Sequence, residues 1–464
     1  MTQTAGAGVE ALRAAMAGAV VTPDGPDYDD VRRVWNADVD RRPAVVARCT
    51  SPADVSVAVT HARAQGLEIA VRCGAHSMSG HSAVDDGMVI DLSGMREVVV
   101  DPVARLARVA GGALLGDLDA ATQEHGLAVP VGAISHTGIG GLALGGGMGW
   151  LTRQAGLTID NLVSAEVVLA DGRIVRASAD EHPDLFWAIR GGGGNFGLVT
   201  EFELRLHEVG PMVEFGLFFW EQEHSAEALR AVRGLVADLP RSCNVMVVGM
   251  NAPPAPLVPQ EHHFRSGFAL VLAGFGEARD HARAVDRIRA ALAPLFEHVT
   301  PMPYVALQQM LDEANAWGLH NYEKSTHVPE LTDGVIDVLT EHLPRRRSPM
   351  SVTIMYRLDQ AYCEAGEDDT AYGGLRAPQW AVFNIGISPT PDGLPAERAW
   401  ARGIWDALQA HSLGVGAYVN TMSEQEYHRV VAAYGPAKLE RLARIKGVYD
   451  PGNLFHRNIN IKPL

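Results

Sequence analysis

The sequence predicts an α+β protein assembled from two unlike units. Two observations carry this. Short strand-like runs and helical stretches follow one another through a glycine-dense first 208 residues, whereas from residue 209 glycine thins and aromatic residues and longer strand candidates take over. The length of 464 residues exceeds what one ordinary core serves, which also points to two domains.

The elements follow in order. LEIAVR (67–72), MVIDL (88–92) and EVVVD (97–101) read as strands, because β-branched residues recur between turn signals. ALLGDLDAATQEHG (113–126) spaces its apolar residues for a helix and ends at Gly126, a suitable C-cap. SAEVVLADGRIVRAS (164–178) reads as two strands joined at Asp171-Gly172, a dipeptide that a type I′ turn favours. In the second unit ALRAVRGLVADL (228–239) is an amphipathic helix. NVMVVGM, SGFALVLAGF, MSVTIMYRL and QWAVFNIGIS are four strand candidates for an antiparallel sheet. After Gly416 a helix, YHRVVAAYGPAKLERLARIKGV, precedes the polar coil YDPGNLFHRNINIKPL.

Composition narrows the function. A hydrophobic share of 47% and a charged share of 20% are those of a soluble globular protein. The formal charge of -16, from 39 basic and 55 acidic residues with the basic ones scattered, argues against nucleic acid as a partner. Cys49, Cys73, Cys243 and Cys363 lie far apart with no CxxC pair, so neither a metal site nor a disulfide framework is expected. A signal segment and a membrane-length apolar run are both missing, and the expected compartment is the cytoplasm. A homodimer is left open.

Three glycine clusters are built to approach an anion: RCGAHSMSG (72–80), HTGIGGLALGGGMG (136–149) and RGGGGNFG (190–197). The second and third match G-x-G-x-x-G/A, but the context of a Rossmann site is absent. Gly145-Gly146-Gly147 works against the helix that must follow the second, and the third follows HPDLFWAIR, which looks helical rather than extended. His76, alone in its turn, has an ordinary reading as a hydrogen-bonded structural residue.

The order of these features supplies the rest. VRCGAHSMSGHSAVDDGMVIDLSGM, SHTGIGGLALGGGMGWLTRQAGLTIDNL, RGGGGNFGLVTEFE and YDPGNLFHRNINI together resemble the FAD-linked oxidases of the berberine bridge enzyme and 6-hydroxy-D-nicotine oxidase type, over residues 40–208 and 416–461. The resemblance implies a two-part FAD-binding domain of the vanillyl-alcohol oxidase-like fold, residues 1–208 and 415–464, with an inserted α+β substrate domain at 209–414. It gives His76 a covalent bond to the flavin 8α carbon, within a pyrophosphate-binding loop of Arg72, Cys73, Gly74, Ala75, His76 and Ser77. Ser135, His136, Gly138, Gly140, Gly141, Gly145 and Gly149 resemble the segment along the flavin ring. Gly193, Gly194, Asn195 and Val199 resemble the adenosine wall, and Asn458 and Asn460 the terminal flavin contacts.

The chain also departs from that pattern. Ile134 stands where many relatives carry a cysteine bonded to flavin C6, and Met148 replaces a tyrosine, so a single histidyl tether is expected. Tyr418, in GAYVN, resembles a tyrosine that acts as base or positioner, and a ring packing the domain interface is an equal reading. ISHTGIGGLALGGGMGW and ARCTSPADV resemble, more narrowly, flavoenzymes of the oxidative Favorskii-type rearrangement in enterocin biosynthesis, where the positions of Thr137 and Leu142 shape an oxygen pocket. The expected activity is an FAD-dependent oxidase that moves a hydride from a small organic substrate to flavin N5 and electrons to molecular oxygen. Tyr418 would be the base, and Tyr322, Lys324 and Tyr356 would face the substrate. Two alternatives stand beside it: an oxygenating enzyme of secondary metabolism using a flavin N5-oxide, and a catalytically silent flavin-binding protein.

Overall fold

The computed structural model describes residues 2–414, 418–422 and 427–464; the expected start of the C-terminal part at residue 415 lies outside them. Near the N-terminus Val45–Arg48 and Ile69–Arg72 flank Met88–Asp91, both parallel to it, with Val20–Val21 antiparallel at the edge. The helix Pro52–Gln65 carries the chain from Val45–Arg48 across the central strand to Ile69–Arg72, the connection that parallel strands require. Ser51 caps that helix by accepting the Asp54 N–H, and Gly66 ends it at a φ of 65°. Val55, Ala58, Val59 and Ala62, at helical spacing, bury one face against the sheet.

The second sheet is antiparallel throughout, in the order Val98–Asp101, Leu106–Ala110, Leu198–Arg205, Leu162–Val168, Ile174–Ser178. Its core takes in Leu118 from the helix Leu115–Gln123, Leu185 and Ile189 from Pro183–Ile189, and Leu442 from Pro436–Tyr449. The last of these joins the chain's C-terminal end to its first half.

The third sheet has seven antiparallel strands, ordered Phe296–Pro303, Met212–Glu221, Ser266–Gly274, Cys243–Asn251, Val352–Leu358, Gln379–Ser388, His320–Val328. The period of two separates its faces. Val245, Val247, Met355 and Val382 pack on the helices Ser225–Val236, Ala278–Ala291, Asp333–His342 and Leu394–Leu408. Met246 and Val248 turn the other way, onto a cluster holding Trp150 and Leu151; Phe383 packs in one with Met148, Leu157 and Ile159.

Four strands were expected in this sheet and, among the described residues, seven are present. The three additions are Met212–Glu221, Phe296–Pro303 and His320–Val328, and the last has almost no apolar alternation to betray it. The expected continuous helix after Gly416 is broken at Gly435, whose φ of 73° is followed by Pro436, a residue suited to starting the next helix. A two-turn helix, Ile139–Gly145, does form in the second glycine cluster and stops where Gly146 and Gly147 take φ values of 141° and 79°. Among the described residues no helix is long and apolar enough to cross a membrane.

Candidate functional site

The loop after strand Ile69–Arg72 turns at Ala75, whose φ is 54°. It nests against the second glycine cluster so tightly that a Cβ on Gly74 would lie 2.3 Å from the Gly138 nitrogen, and one on Gly138 would lie 2.3 Å from both the Gly74 nitrogen and Cys73 Sγ. Both glycines are therefore required for backbone approach. Arg72 anchors the loop from behind, donating to the carbonyls of Val31 and Arg33, and does not reach the cavity beyond.

That cavity, of about 410 Å³, runs between the two glycine-rich halves and the third sheet. Cys73, Gly74, Ala75, His76 and Ser77 line it from the first cluster. His76 Nε2 lies 2.6 Å from His136 Nδ1, and Trp35 stacks on the His76 ring at 4.6 Å and 20°. Burial, with His136 alongside, pushes the His76 pKa down to about 3, so this imidazole is neutral at ordinary pH.

From the second cluster Ile134, Thr137, Gly138, Gly140, Gly141 and Leu142 line the cavity, with Met148 beyond them. Ser135 is held elsewhere, its N–H and hydroxyl both donating to Asp312 at 2.8 and 2.5 Å. Gly145 and Gly149 also stand back. Their role is close packing, since a Cβ would meet Asn420 Oδ1 and the Val131 carbonyl, each at 2.0 Å.

Gly193, Gly194 and Val199 form the far wall. Asn195 is fully buried behind it and clasps the chain end: its Nδ2 donates to the Gly192 and Ile459 carbonyls, and its Oδ1 accepts the Ile461 N–H. Asn458 lines the cavity, donates to the Gly194 carbonyl at 3.1 Å, and has a buried Oδ1 without a partner among the described residues. Asn460 Oδ1 is likewise buried and, among the described residues, unpartnered, though Asn460 does not line the cavity.

The third sheet and the segment after residue 417 close the other side. The Tyr418 oxygen accepts the Gly147 N–H at 2.7 Å and Asn420 Nδ2 at 2.8 Å, and burial raises its pKa far above that of a free phenol. With two donors on its oxygen, the hydroxyl retains its proton to give and is poorly placed to accept one. Of the three residues expected to face a substrate, Tyr322 and Lys324 project to the opposite face. Arg402 Nε donates to the Tyr322 hydroxyl at 2.9 Å, and Lys324 Nζ sits 4.8 Å over the Trp405 ring, both on the helix Leu394–Leu408. Tyr356 is on the cavity side of the sheet, edge-on to Phe383 at 5.9 Å, but packs short of the cavity itself.

Glu323, between Tyr322 and Lys324, is the residue that turns inward, opposite Ile385. Burial pushes its carboxyl up to about 8. Sequence reading missed it, together with Trp35, Asn420 and Arg457, which also line the cavity. Strand alternation across HNYEKSTHV is the signal that separates Glu323 from its neighbours, once that segment is known to be a strand.

These features suit a large ligand with a flat polar ring and an anionic linker. Gly141 and Gly194 face the cavity with nothing within 4 Å of where a Cβ would stand, the nested glycine loops expose backbone, and the Asn458 oxygen is left to a guest. Among the described residues no group of three or more His, Cys, Asp or Glu side chains is arranged to hold a metal ion.

Comparison with known proteins agrees. Residues 43–178 match the family described as FAD binding domain, and residues 417–462 the family described as Berberine and berberine like. The chain is 30% identical over 437 residues to an FAD-linked oxidoreductase of Dictyostelium discoideum, covering 94% of this chain and 92% of that one. It is 29% identical to (R)-6-hydroxynicotine oxidase of Paenarthrobacter nicotinovorans, covering 96% and 97%. The solved structure of 6-hydroxy-D-nicotine oxidase from Arthrobacter nicotinovorans superposes with a TM-score of 0.86 at 27% identity, covering 97% of this chain and 98% of that one. Glucooligosaccharide oxidase from Acremonium strictum, with its 6-S-cysteinyl, 8α-N1-histidyl FAD, shares the fold at a TM-score of 0.83 and 24% identity, covering 98% and 99%.

Proposed function

The chain belongs to the FAD-linked oxidoreductases of the berberine bridge enzyme and 6-hydroxynicotine oxidase type, and from that premise we propose that its FAD, held by one covalent bond at His76, takes a hydride from a small organic substrate at N5 and passes the electrons to dioxygen. The observation that carries this reading is the single cavity shared by His76 at one side and Glu323 and Tyr418 at the other. We take residues 1–208 with 415–464 as the FAD-binding part and 209–414 as the part that reads the substrate.

The residues divide the work by chemistry. The first glycine loop supplies N–H groups for the pyrophosphate. Asn458 and the backbone of the second cluster meet the polar edge of the ring. Ile134, at the place of the second tether in some relatives, is inert, which supports a single attachment. Thr137 and Leu142 shape a small pocket in which a diatomic gas is guided by one hydroxyl and one methyl group.

Glu323 takes the part first assigned to Tyr418. As a carboxylate it accepts the proton released from a substrate heteroatom, and its raised pKa brings its basicity near working pH. Tyr418 donates a hydrogen bond to the same substrate and orients it.

The test is spectroscopic. Purified enzyme is kept under nitrogen and offered amines, alcohols and sugars, including 6-hydroxynicotine and glucooligosaccharides, while the flavin absorbance is followed. One class should bleach it, and admission of air should restore it with release of hydrogen peroxide. An absorbance unmoved by every compound sinks the oxidase reading and leaves a protein that only binds flavin.

A further inference from the structure

We propose that His136 is the proton acceptor through which the protein attaches its own flavin, taking the Nε2 proton of His76 as His76 Nδ1 bonds to the 8α carbon of the isoalloxazine ring. The inference rests on the reading of His76 as the tether and adds to it a second residue and a direction of proton flow.

Geometry selects the nitrogen. His76 Nε2 is engaged by His136 Nδ1 at 2.6 Å, so the nitrogen left for bond formation is Nδ1. Trp35 prevents the ring from exchanging the two. It stacks on His76 at 4.6 Å and 20°, and its own Nε1 is pinned by the Asn315 carbonyl at 2.6 Å.

Charge selects the proton acceptor. A neutral imidazole that attacks through Nδ1 while keeping its Nε2 proton becomes a cation in a buried place, which is costly. The low pKa of His76 expresses the same penalty. Release of the Nε2 proton during the attack removes it, and the atom in position to receive that proton is His136 Nδ1. His136 is only partly buried, so a charge gained there is less costly than one on His76.

The step balances. One bond forms, between His76 Nδ1 and the 8α carbon; two break, a C–H of the 8-methyl group and the Nε2–H of His76. Two protons leave, and the two electrons taken up by the ring are passed to dioxygen, giving hydrogen peroxide.

The experiment uses the full chain with FAD. Protein purified as the parent, His76→Ala and His136→Ala is incubated with FAD in air, and flavin fluorescence that survives acid denaturation is followed in the gel band over time. The parent should carry bound flavin and His76→Ala none; a dark parent band overturns the tether itself. His136→Ala should retain acid-releasable FAD, visible in the absorbance of the native protein, and attach it about 10²-fold more slowly. Added imidazole should restore much of the rate, which a merely structural role of His136 does not explain. Attachment by His136→Ala at the parent's rate overturns the proposal while leaving the tether standing. A second measurement needs no variant: the flavin peptide of the parent, characterised by NMR, should be linked through Nδ1, and linkage through Nε2 overturns the proposal by itself.

Discussion

The phenol oxygen of Tyr418 accepts the backbone N–H of Gly147 at 2.7 Å, joining the segment after the seven-stranded sheet to a glycine 271 residues earlier. Tyr418→Phe leaves that buried N–H without an acceptor, at a cost of about 1–3 kcal/mol. Two effects are expected: a lower unfolding midpoint in urea, and a raised KM from loss of the hydrogen bond offered to substrate. An unchanged kcat/KM with unchanged stability would show that the hydroxyl positions nothing.

Glu323 gives a pH-dependent prediction. Its folded pKa, about 8, lies above the value of 4.5 ordinary for this side chain, so the folded state holds a proton that the unfolded state releases. Its contribution is fully present below the unfolded pKa and is lost as pH rises toward and through 8. Glu323→Gln removes that loss. Its Tm relative to the parent should therefore climb between about pH 5 and pH 8 and level off above, as read by differential scanning calorimetry in matched buffers. In turnover, the same variant should slow flavin reduction by about 10²-fold or more if Glu323 accepts the substrate proton. A change of a few-fold leaves it a binding group.

Thr137 lines the cavity next to the glycine of the nested loops. Thr137→Val keeps the shape and removes the hydroxyl. Reoxidation of the reduced enzyme by air, followed by stopped flow, should slow more than anaerobic reduction by substrate. Equal slowing of both half-reactions would make Thr137 a packing residue.

Ile134 also lines the cavity, and its carbonyl accepts the Thr137 N–H at 3.1 Å, so the two share one turn. Ile134→Cys should place a thiol beside the flavin ring, where a thiolate forms a second bond at mildly alkaline pH in air. Mass spectrometry of a protease digest should then show one flavin joining the His76 peptide to the new cysteine. A His76 adduct alone, with the thiol freely alkylated in the folded protein, would break the assignment of this turn to the ring edge.

The glycine loops were legible in the chain itself because their cause is local. Positive φ at Gly146 and Gly147 and the closest backbone approaches demand a residue without a Cβ, and that demand is written in residue type. The family resemblance follows the same loops, and with it the α+β class. The strand His320–Val328 was illegible because helix Leu394–Leu408 covers one face while the other borders the cavity, so polar side chains are buried on both and the period-two signal vanishes. Only folding decides that Glu323 rather than Tyr322 or Lys324 turns inward, since a one-residue change of register reverses every side chain. Only folding brings His136 to His76, 60 residues apart, and holds Asn36 to Asn321 across 285, because such contacts arise where whole elements pack and leave no periodic trace in the sequence.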